Sequence, residues 1–191
     1  MTISYLDYAL ENGYVHNWLV AGPQATRVDD LERYTGADHK MQITQHYYER
    51  ESCIAQMPAE TETLRIGDFE ADWEYVRCRD DHFVDLSVFH HICHYLRAWA
   101  YAQLVSPTAQ SVTFILTTNG PADVWLNGEH VHRQEHFYHQ IPNRVSFQAN
   151  LQAGANEILV RFEEVAAREC PYAMALQLVG ARCVRATAHR H

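Results

Sequence analysis

The stretch SVTFILTTNGPADVWLNG, residues 111–128, decides the fold. Its first half places Val112, Phe114 and Leu116 on one face and threonines on the other, and this period of two is typical of a half-buried β-strand. The second half repeats the alternation and ends in Asn127-Gly128, where both residues tolerate positive φ. The stretch therefore predicts antiparallel strands with a hairpin tip at Asn127-Gly128.

The same alternation continues on both sides of this stretch. RVSFQANL, NEILVRFEE and YAMALQLVG predict strands downstream, and HNWLVAGP, WEYVRCRD and HFVDLSV predict strands upstream, the first ended by Gly22-Pro23. Short strands at regular spacing predict an all-β protein, an antiparallel β-sandwich or jelly roll. The side chains expected to point into its core are Val112, Phe114, Val124, Leu126, Val145, Phe147, Ile158, Val160 and Phe162.

The N-terminal half is less regular. YLRAWAYAQLV, residues 95–105, alternates small alanines with Arg97, Trp99 and Tyr101, which favours a strand, although its alanine content leaves a helix open. Residues 24–63 are polar and are expected to form a long irregular connection with one or two short helices. We expect a single domain over residues 1–191, serving as the N-terminal module of a longer protein.

Composition excludes several classes of protein. The 191-residue chain has a formal net charge of −9 and a single lysine, Lys40, which argues against nucleic acid and anionic membranes as partners. The first residues lack the basic start and continuous apolar stretch of a signal peptide, and no apolar run reaches 18 residues, so no transmembrane helix is expected. The five cysteines contain no C-x-x-C pair, so buried free thiols and a cytoplasmic location are expected.

One part of the sequence resembles a known family. AWAYAQLVSPTAQSVTFILTTNGPADVWLNGEHV followed by VSFQANLQAGANEILVRFEE resembles the galactose-binding-domain-like β-sandwich, an accessory domain of many glycoside hydrolases. The family pattern is a strand ending in a V-x-L/V-N-G hairpin and a later L-x-x-G-x-N-x-L/I-x-V-x-F strand, here Val124 to Gly128 and Leu151 to Phe162. The resemblance implies a non-catalytic carbohydrate-binding or interdomain scaffold module, with a carbohydrate or a neighbouring catalytic domain as partner. No cofactor is expected.

Aromatic and planar polar side chains supply a candidate binding face. Sugars combine apolar C–H faces with hydroxyls that need directional partners, so aromatic rings beside planar polar groups suit them. We expect a shallow, exposed site made of the following ligand-binding residues: Arg97, Trp99, Tyr101, Trp125, Asn127, His130 and Tyr138.

A histidine cluster supports an alternative. HVHRQEH places His130 and His132 on one face of a strand, with Glu135 and His136 close behind, and this resembles the first metal motif of cupins. The glutamate follows sooner than in the cupin pattern, and no second motif is found downstream. The alternatives are thus a cupin-like metal-dependent enzyme and a structural or oligomerising β-sandwich, with homo-oligomerisation left open.

Overall fold

The computed structural model describes residues 4–48, 58 and 62–190, and antiparallel β-strands account for most of them. A turn of 3-10 helix at Leu31–Arg33 and one α-helix interrupt the strands. None of the helices in these residues is long and apolar enough to cross a membrane. The elements are β1 (Ser4–Ala9), β2 (Asn17–Arg27), α1 (His39–Tyr47), β3 (Thr63–Ile66), β4 (Phe69–Asp72), β5 (Glu74–Arg77), β6 (Val84–Asp85), β7 (Val88–Ser106), β8 (Gln110–Thr118), β9 (Ala122–Leu126), β10 (Glu129–Gln134), β11 (Asn143–Leu151), β12 (Gly154–Cys170), β13 (Ala173–Val179) and β14 (Arg185–Arg190).

Two sheets form a sandwich. The large sheet has eight strands in the order β1-β14-β7-β12-β9-β10, with β2 pairing to both β7 and β5. The small sheet has four strands in the order β11-β8-β13-β6. All pairings in both sheets are antiparallel, so the predicted β-sandwich is confirmed. At one edge of the large sheet, β1 pairs with β14 from Ser4↔Arg190 to Ala9↔Arg185.

The core lies between the facing sides of the two sheets. Alternate residues of β7 and β12 meet alternate residues of β8 and β13 there. Phe114 is fully buried, and its ring stacks on Phe147 of β11 at 5.4 Å between centroids. Most of the residues predicted to point inward are buried; Val145 and Phe147 are only half-buried because β11 is the edge strand of the small sheet.

The predicted hairpin tip is confirmed. Leu126 pairs with Glu129, and the two residues between them, Asn127 and Gly128, have φ of 51° and 80°. The Asn127 side chain accepts a hydrogen bond from the Glu157 backbone N–H at 2.8 Å and donates one to Asn156 Oδ1 at 3.1 Å. The amide of Asn127 thus ties the hairpin to the start of β12.

The upstream half departs from the sequence prediction in two places. Gly22-Pro23 does not end a strand: β2 runs to Arg27, because a bulge between Ala21 and Gln24 accommodates the proline without a ladder N–H. The prediction of an irregular connection over residues 24–63 is therefore wrong at its start, where the chain up to Arg27 belongs to β2. It is also wrong at its last residue, Thr63, where β3 begins. Residues 49–57 and 59–61 of that connection lie outside the described residues.

The outer face of the large sheet is covered. β7 is a single strand of 19 residues whose alanines face the core and whose Trp99 and Tyr101 face outward, as predicted for a strand. The β3–β4 hairpin and Trp73 pack on this outer face, and the ring of Phe69 stacks on Trp99 at 5.8 Å. Further along the same face, Ile43 of α1 packs against Tyr95.

Candidate functional site

A group of charged side chains lies on the covered outer face of the large sheet. β9 lies between β10 and β12, and this order sets Asp123 opposite both Arg133 and Arg161. The next outward position of β12 after Arg161 is Glu163. We call the following five residues the Asp123 cluster: Asp123, His130, Arg133, Arg161 and Glu163.

Asp123 is the centre of this cluster. Its Oδ1 accepts a hydrogen bond from His130 Nε2 at 2.7 Å, and its Oδ2 accepts from Arg133 Nη1 at 2.7 Å and Arg161 Nη2 at 2.9 Å. The Asp123 side chain has no exposed surface, and that of Arg161 is only 2% exposed. Both oxygens of this buried carboxylate are therefore occupied by donors.

Glu163 is the second buried carboxylate. Its Oε1 accepts a short hydrogen bond from the Tyr95 hydroxyl, and its Oε2 accepts from Arg133 Nη1 at 3.2 Å. Burial raises the pKa of Glu163, and Arg161, Tyr95 and Arg133 act in the opposite direction. Burial and the neighbouring Glu163 also raise the pKa of Tyr95, so this hydroxyl keeps its proton and remains a donor.

Arg133 links the buried carboxylates to the surface. Its Nη1 reaches Asp123 and Glu163, its Nε donates to Glu135 Oε1 at 2.9 Å, and its Cζ lies 3.7 Å from the centre of the Tyr48 ring. Its Nη2 has no hydrogen-bond partner within the described part of the chain, although it is buried. Such an unpaired buried donor costs about 1–3 kcal/mol.

Two donors of the cluster have no acceptor within the residues that the structure describes. Like Arg133 Nη2, Arg161 Nε is buried and lacks an acceptor among the described residues. The cluster reaches solvent along one edge, where the side chains of Arg133, His130 and Glu135 are 12%, 20% and 51% exposed. At that edge parts of Arg133, His130 and Glu135 are accessible to a ligand, whereas the two donors without acceptors lie below the surface.

Trp125 lies beside the cluster, whereas the predicted exposed aromatic face does not exist. The Trp125 ring contacts His130 edge-on at 5.3 Å, and Arg161 Cζ lies 5.5 Å from its centre. Yet Trp125 and Trp99 are 4% and 1% exposed, so the expectation that these rings are exposed is wrong. The β3–β4 hairpin packs on the face that the sequence assigned to solvent.

The other predicted binding residues are spread over the outer face and its edges. Tyr101 is buried and its hydroxyl donates to Glu157, while Arg97 is buried, donates to Gln24 and lies over Trp99. Asn127 is exposed at the hairpin tip, where its side chain holds the turn. Tyr138 is 38% exposed and contacts Asn119 and the ring of His136. The structure thus brings together Trp125 and His130 from this set, and the role of the set in ligand binding stays a prediction.

The residues of the metal alternative are separated by a β-bulge. The pairing of β10 with β9 shifts between His130 and His132, so that His130 lies opposite Trp125 and His132 opposite Val124, on the other face. The His132 ring stacks on Phe147 at 4.3 Å, and Glu135 binds Arg133. The expectation that both histidines share a face is wrong. Within residues 4–48, 58 and 62–190, no three His, Cys, Asp or Glu side chains are grouped to hold a metal ion.

Four of the five cysteines lie in the part of the chain that the structure describes. Cys78, Cys93 and Cys170 are buried free thiols, as expected, whereas Cys183 is free and exposed. Burial raises the pKa of Cys78 and Cys170 to about 12 in each case. Cys53 lies outside the described residues.

Comparisons with known proteins bear on the fold. No family model and no curated relative matches the sequence. Among solved structures, a family 35 carbohydrate binding module from Clostridium thermocellum matches 53% of this chain and 94% of its own, at 15% identity and a TM-score of 0.36. A beta-glucosidase from Kluyveromyces marxianus in complex with glucose matches 64% of this chain at 12% identity and a TM-score of 0.46, and this chain covers only 16% of that enzyme. The PA14 domain of the MpAFP antifreeze protein matches 97% of this chain and 89% of its own, at 9% identity and a TM-score of 0.36. The solved structures that this chain resembles thus include a carbohydrate binding module and a glycoside hydrolase, the kinds of protein that the sequence resemblance names.

Proposed function

We propose that this protein is a non-catalytic carbohydrate-binding module whose sugar site is the open edge of the Asp123 cluster. The observation that carries this proposal is the solvent-facing edge of the cluster, where the partly exposed side chains of Arg133 and His130 lie beside the Tyr48 and Trp125 rings. A planar donor next to aromatic rings is the combination that sugar hydroxyls and C–H faces require.

The geometry of the donors is fixed before a ligand arrives. Asp123 and Glu163 hold Arg133 at Nη1 and Glu135 holds it at Nε, and Trp125 packs beside His130. A side chain that is already ordered loses little conformational entropy on binding, and this loss otherwise weakens an interface. Hydrogen bonds to a charged group contribute about 1.5–3 kcal/mol, more than those between neutral groups. A pre-ordered guanidinium is therefore a strong anchor for a hydroxyl.

The carboxylates of the cluster support a binding role rather than a catalytic one. Glycoside hydrolysis in most families uses two carboxyl groups that reach the scissile bond from either side. Here Asp123 and Glu163 have no exposed surface, and their oxygens accept hydrogen bonds from arginine, histidine and tyrosine side chains. They position the donors and are not free to exchange protons with a sugar.

Glycan-array screening followed by calorimetric titration tests this proposal. We expect the wild-type protein to bind at least one glycan and Arg133→Gln to lose about tenfold or more in affinity, because at least one charge-assisted hydrogen bond disappears. The matched control is Arg185→Gln, which removes a guanidinium from an exposed pair with Asp7 on the far edge of the sheet and should bind like the parent.

Arg133 also compensates buried carboxylates, so folding of each variant is checked by near-ultraviolet circular dichroism. If Arg133→Gln does not fold, His130→Gln replaces it, since His130 is the more exposed of the two. Wild-type protein that binds no glycan, or variants at both positions that bind as tightly as the parent, would contradict the proposal.

A second function is favoured by one observation, three exposed apolar side chains near the start of β7. Val88, Phe89 and Ile92 are 38%, 55% and 47% exposed there, and such side chains on a soluble domain suit contact with a neighbouring domain. We propose interdomain scaffolding in a longer polypeptide as this second function. In that polypeptide, Phe89→Ser together with Ile92→Ser should uncouple the thermal unfolding of the two domains, and transitions that stay unchanged would count against it.

A further inference from the structure

We infer that His90 and His94, near the start of β7, form a binding site for one divalent transition-metal ion of the kind that imidazole binds well, such as Cu²⁺, Ni²⁺ or Zn²⁺. Both residues belong to the segment HHICH, residues 90–94, and neither is part of the Asp123 cluster. The inference is therefore independent of carbohydrate binding.

A bulge in β7 brings the two histidines together. Where β7 pairs with β12, His94 lies opposite Ala166 and His90 lies opposite Arg168, so four steps along β7 match only two along β12. The surplus residues of β7 form the bulge. Residues four positions apart in a regular strand are separated by about 13 Å. The ring centroids of His90 and His94 are only 4.7 Å apart.

This separation is the one that two imidazoles adopt on a single ion. A first-row metal lies about 2.0–2.1 Å from the ligating nitrogen, and thus about 3.2 Å from the ring centroid. Two rings in neighbouring coordination positions, at an N–metal–N angle of about 90–110°, then have centroids about 4.5–5.2 Å apart. The 4.7 Å between His90 and His94 lies within this range, and the ring planes are inclined by 38° instead of being stacked in parallel.

The hydrogen bond of His94 sets the tautomer that a metal ligand needs. Its Nδ1 lies 2.8 Å from the backbone carbonyl oxygen of Ile92. A carbonyl oxygen only accepts, so Nδ1 carries the proton and Nε2 of the neutral ring keeps its lone pair for a metal. Histidines that bind metals commonly donate their other N–H in this way, which fixes the ring. Cys93 packs in a separate buried cluster, so two histidines and water make up the coordination shell.

Two arginines lie opposite the histidines in the neighbouring strands, Arg27 opposite His94 and Arg168 opposite His90. Arg27 pairs with Asp29 at 3.2 Å, and both side chains are exposed. Arg168 is exposed as well, so water and salt screen its charge. An anion is the other ligand that these cations suggest, but it would need protonated imidazoles, and two such rings 4.7 Å apart repel each other. The geometry thus favours the metal ion.

The experiment is calorimetric titration with Cu²⁺, the divalent ion that nitrogen ligands bind most tightly, in the presence of glycine as a weak competitor. We expect His90→Gln and His94→Gln each to weaken the tightest copper site by about tenfold or more, because a second tethered ligand acts at high effective concentration. Electron paramagnetic resonance of this site should show two imidazole nitrogens in the wild type and one in each variant. The matched control is His91→Gln, an exposed histidine of the same segment whose ring contacts Phe89 at 4.9 Å.

The chain has 13 histidines, so copper binding alone does not identify the site and the variants decide the outcome. A tightest site that His90→Gln and His94→Gln leave unchanged, or that His91→Gln weakens equally, overturns the inference. Binding of inorganic phosphate that depends on His90 and His94, without copper bound there, overturns it too. His94→Gln also alters the bond to Ile92, so folding is checked by circular dichroism, and His90→Gln alone carries the test if that variant does not fold. Glycan binding should be the same in all three variants.

Discussion

Replacing Asp123 by asparagine removes one negative charge from the centre of the covered face while nearly preserving side-chain size. Three donors point at its oxygens: His130 Nε2 and Arg133 Nη1 at 2.7 Å and Arg161 Nη2 at 2.9 Å. An asparagine keeps one acceptor oxygen for the two arginines, and its NH₂ group then faces His130 Nε2, which has to accept in the other tautomer. The variant therefore loses the charge that compensates Arg133 and Arg161.

The magnitude follows from the burial of the group. Removing one partner of a buried ion pair costs about 3–5 kcal/mol, because the remaining charge stays buried without compensation. Domains of this kind unfold with a free energy of about 5–15 kcal/mol, so the loss is a large share of the total. With a urea m value of about 2 kcal/mol/M, the midpoint of unfolding should fall by about 2 M.

The assay is urea unfolding followed by tryptophan fluorescence and circular dichroism. The control is Asp7→Asn, which breaks the exposed pair between Asp7 and Arg185, with N–O distances of 2.9 and 3.0 Å, and should cost about 0–1 kcal/mol. If Asp123→Asn costs no more than Asp7→Asn at equal m values, the cluster is not held by Asp123 and the reasoning is refuted.

Three further predictions concern other parts of the molecule. Trp99→Ala should lower the free energy of unfolding by about 3–5 kcal/mol in urea titration, because the ring is buried; an effect below 1 kcal/mol would contradict this. Burial lowers the pKa of His132, so unfolding takes up a proton between that pKa and 6.5. The free energy of unfolding should therefore decrease as the pH is lowered through this window. His132→Phe keeps the stack on Phe147 and should flatten that slope in parallel titrations. In a Cys53→Ser background, a thiol reagent should modify Cys183 rapidly in folded protein, and fast reaction of the three buried thiols would be evidence against their burial.

Local signals were enough to predict the strands. The alternation in residues 111–128 and the Asn127-Gly128 turn depend only on neighbours in sequence, and both are confirmed. The burial of Trp99 under the β3–β4 hairpin could not be predicted in the same way. Alternation tells which side chains lie on the same face of a strand, but it does not tell which segment packs on that face. The signal for the cover was present in RIGDFE, where Gly67 makes the turn between β3 and β4.

The charged cluster needed information that the sequence does not hold locally. Arg161 and Glu163 alternate with the core residues of β12, which favours solvent-facing positions when the strand is taken alone. Their convergence with Asp123 and Arg133 depends on β9 lying between β10 and β12, a pairing of distant segments. One usable sign was the number of charges on strands that are otherwise strongly apolar. The bulge that parts His130 from His132 left no such sign in HVHRQE.

The pairing of β1 with β14 makes one edge of the domain mechanically weak. The strands are antiparallel, and Ser4 lies opposite Arg190, so tension that pulls these two residues apart acts on one pair of residues at a time. The hydrogen bonds then break one after another from Ser4↔Arg190 toward Ala9↔Arg185. Breaking them in succession needs less force than breaking them all at once. β7 remains bound to β12 and β2 when this edge has peeled away. A molecule under tension would therefore yield at this edge first, while the sandwich behind it stays folded.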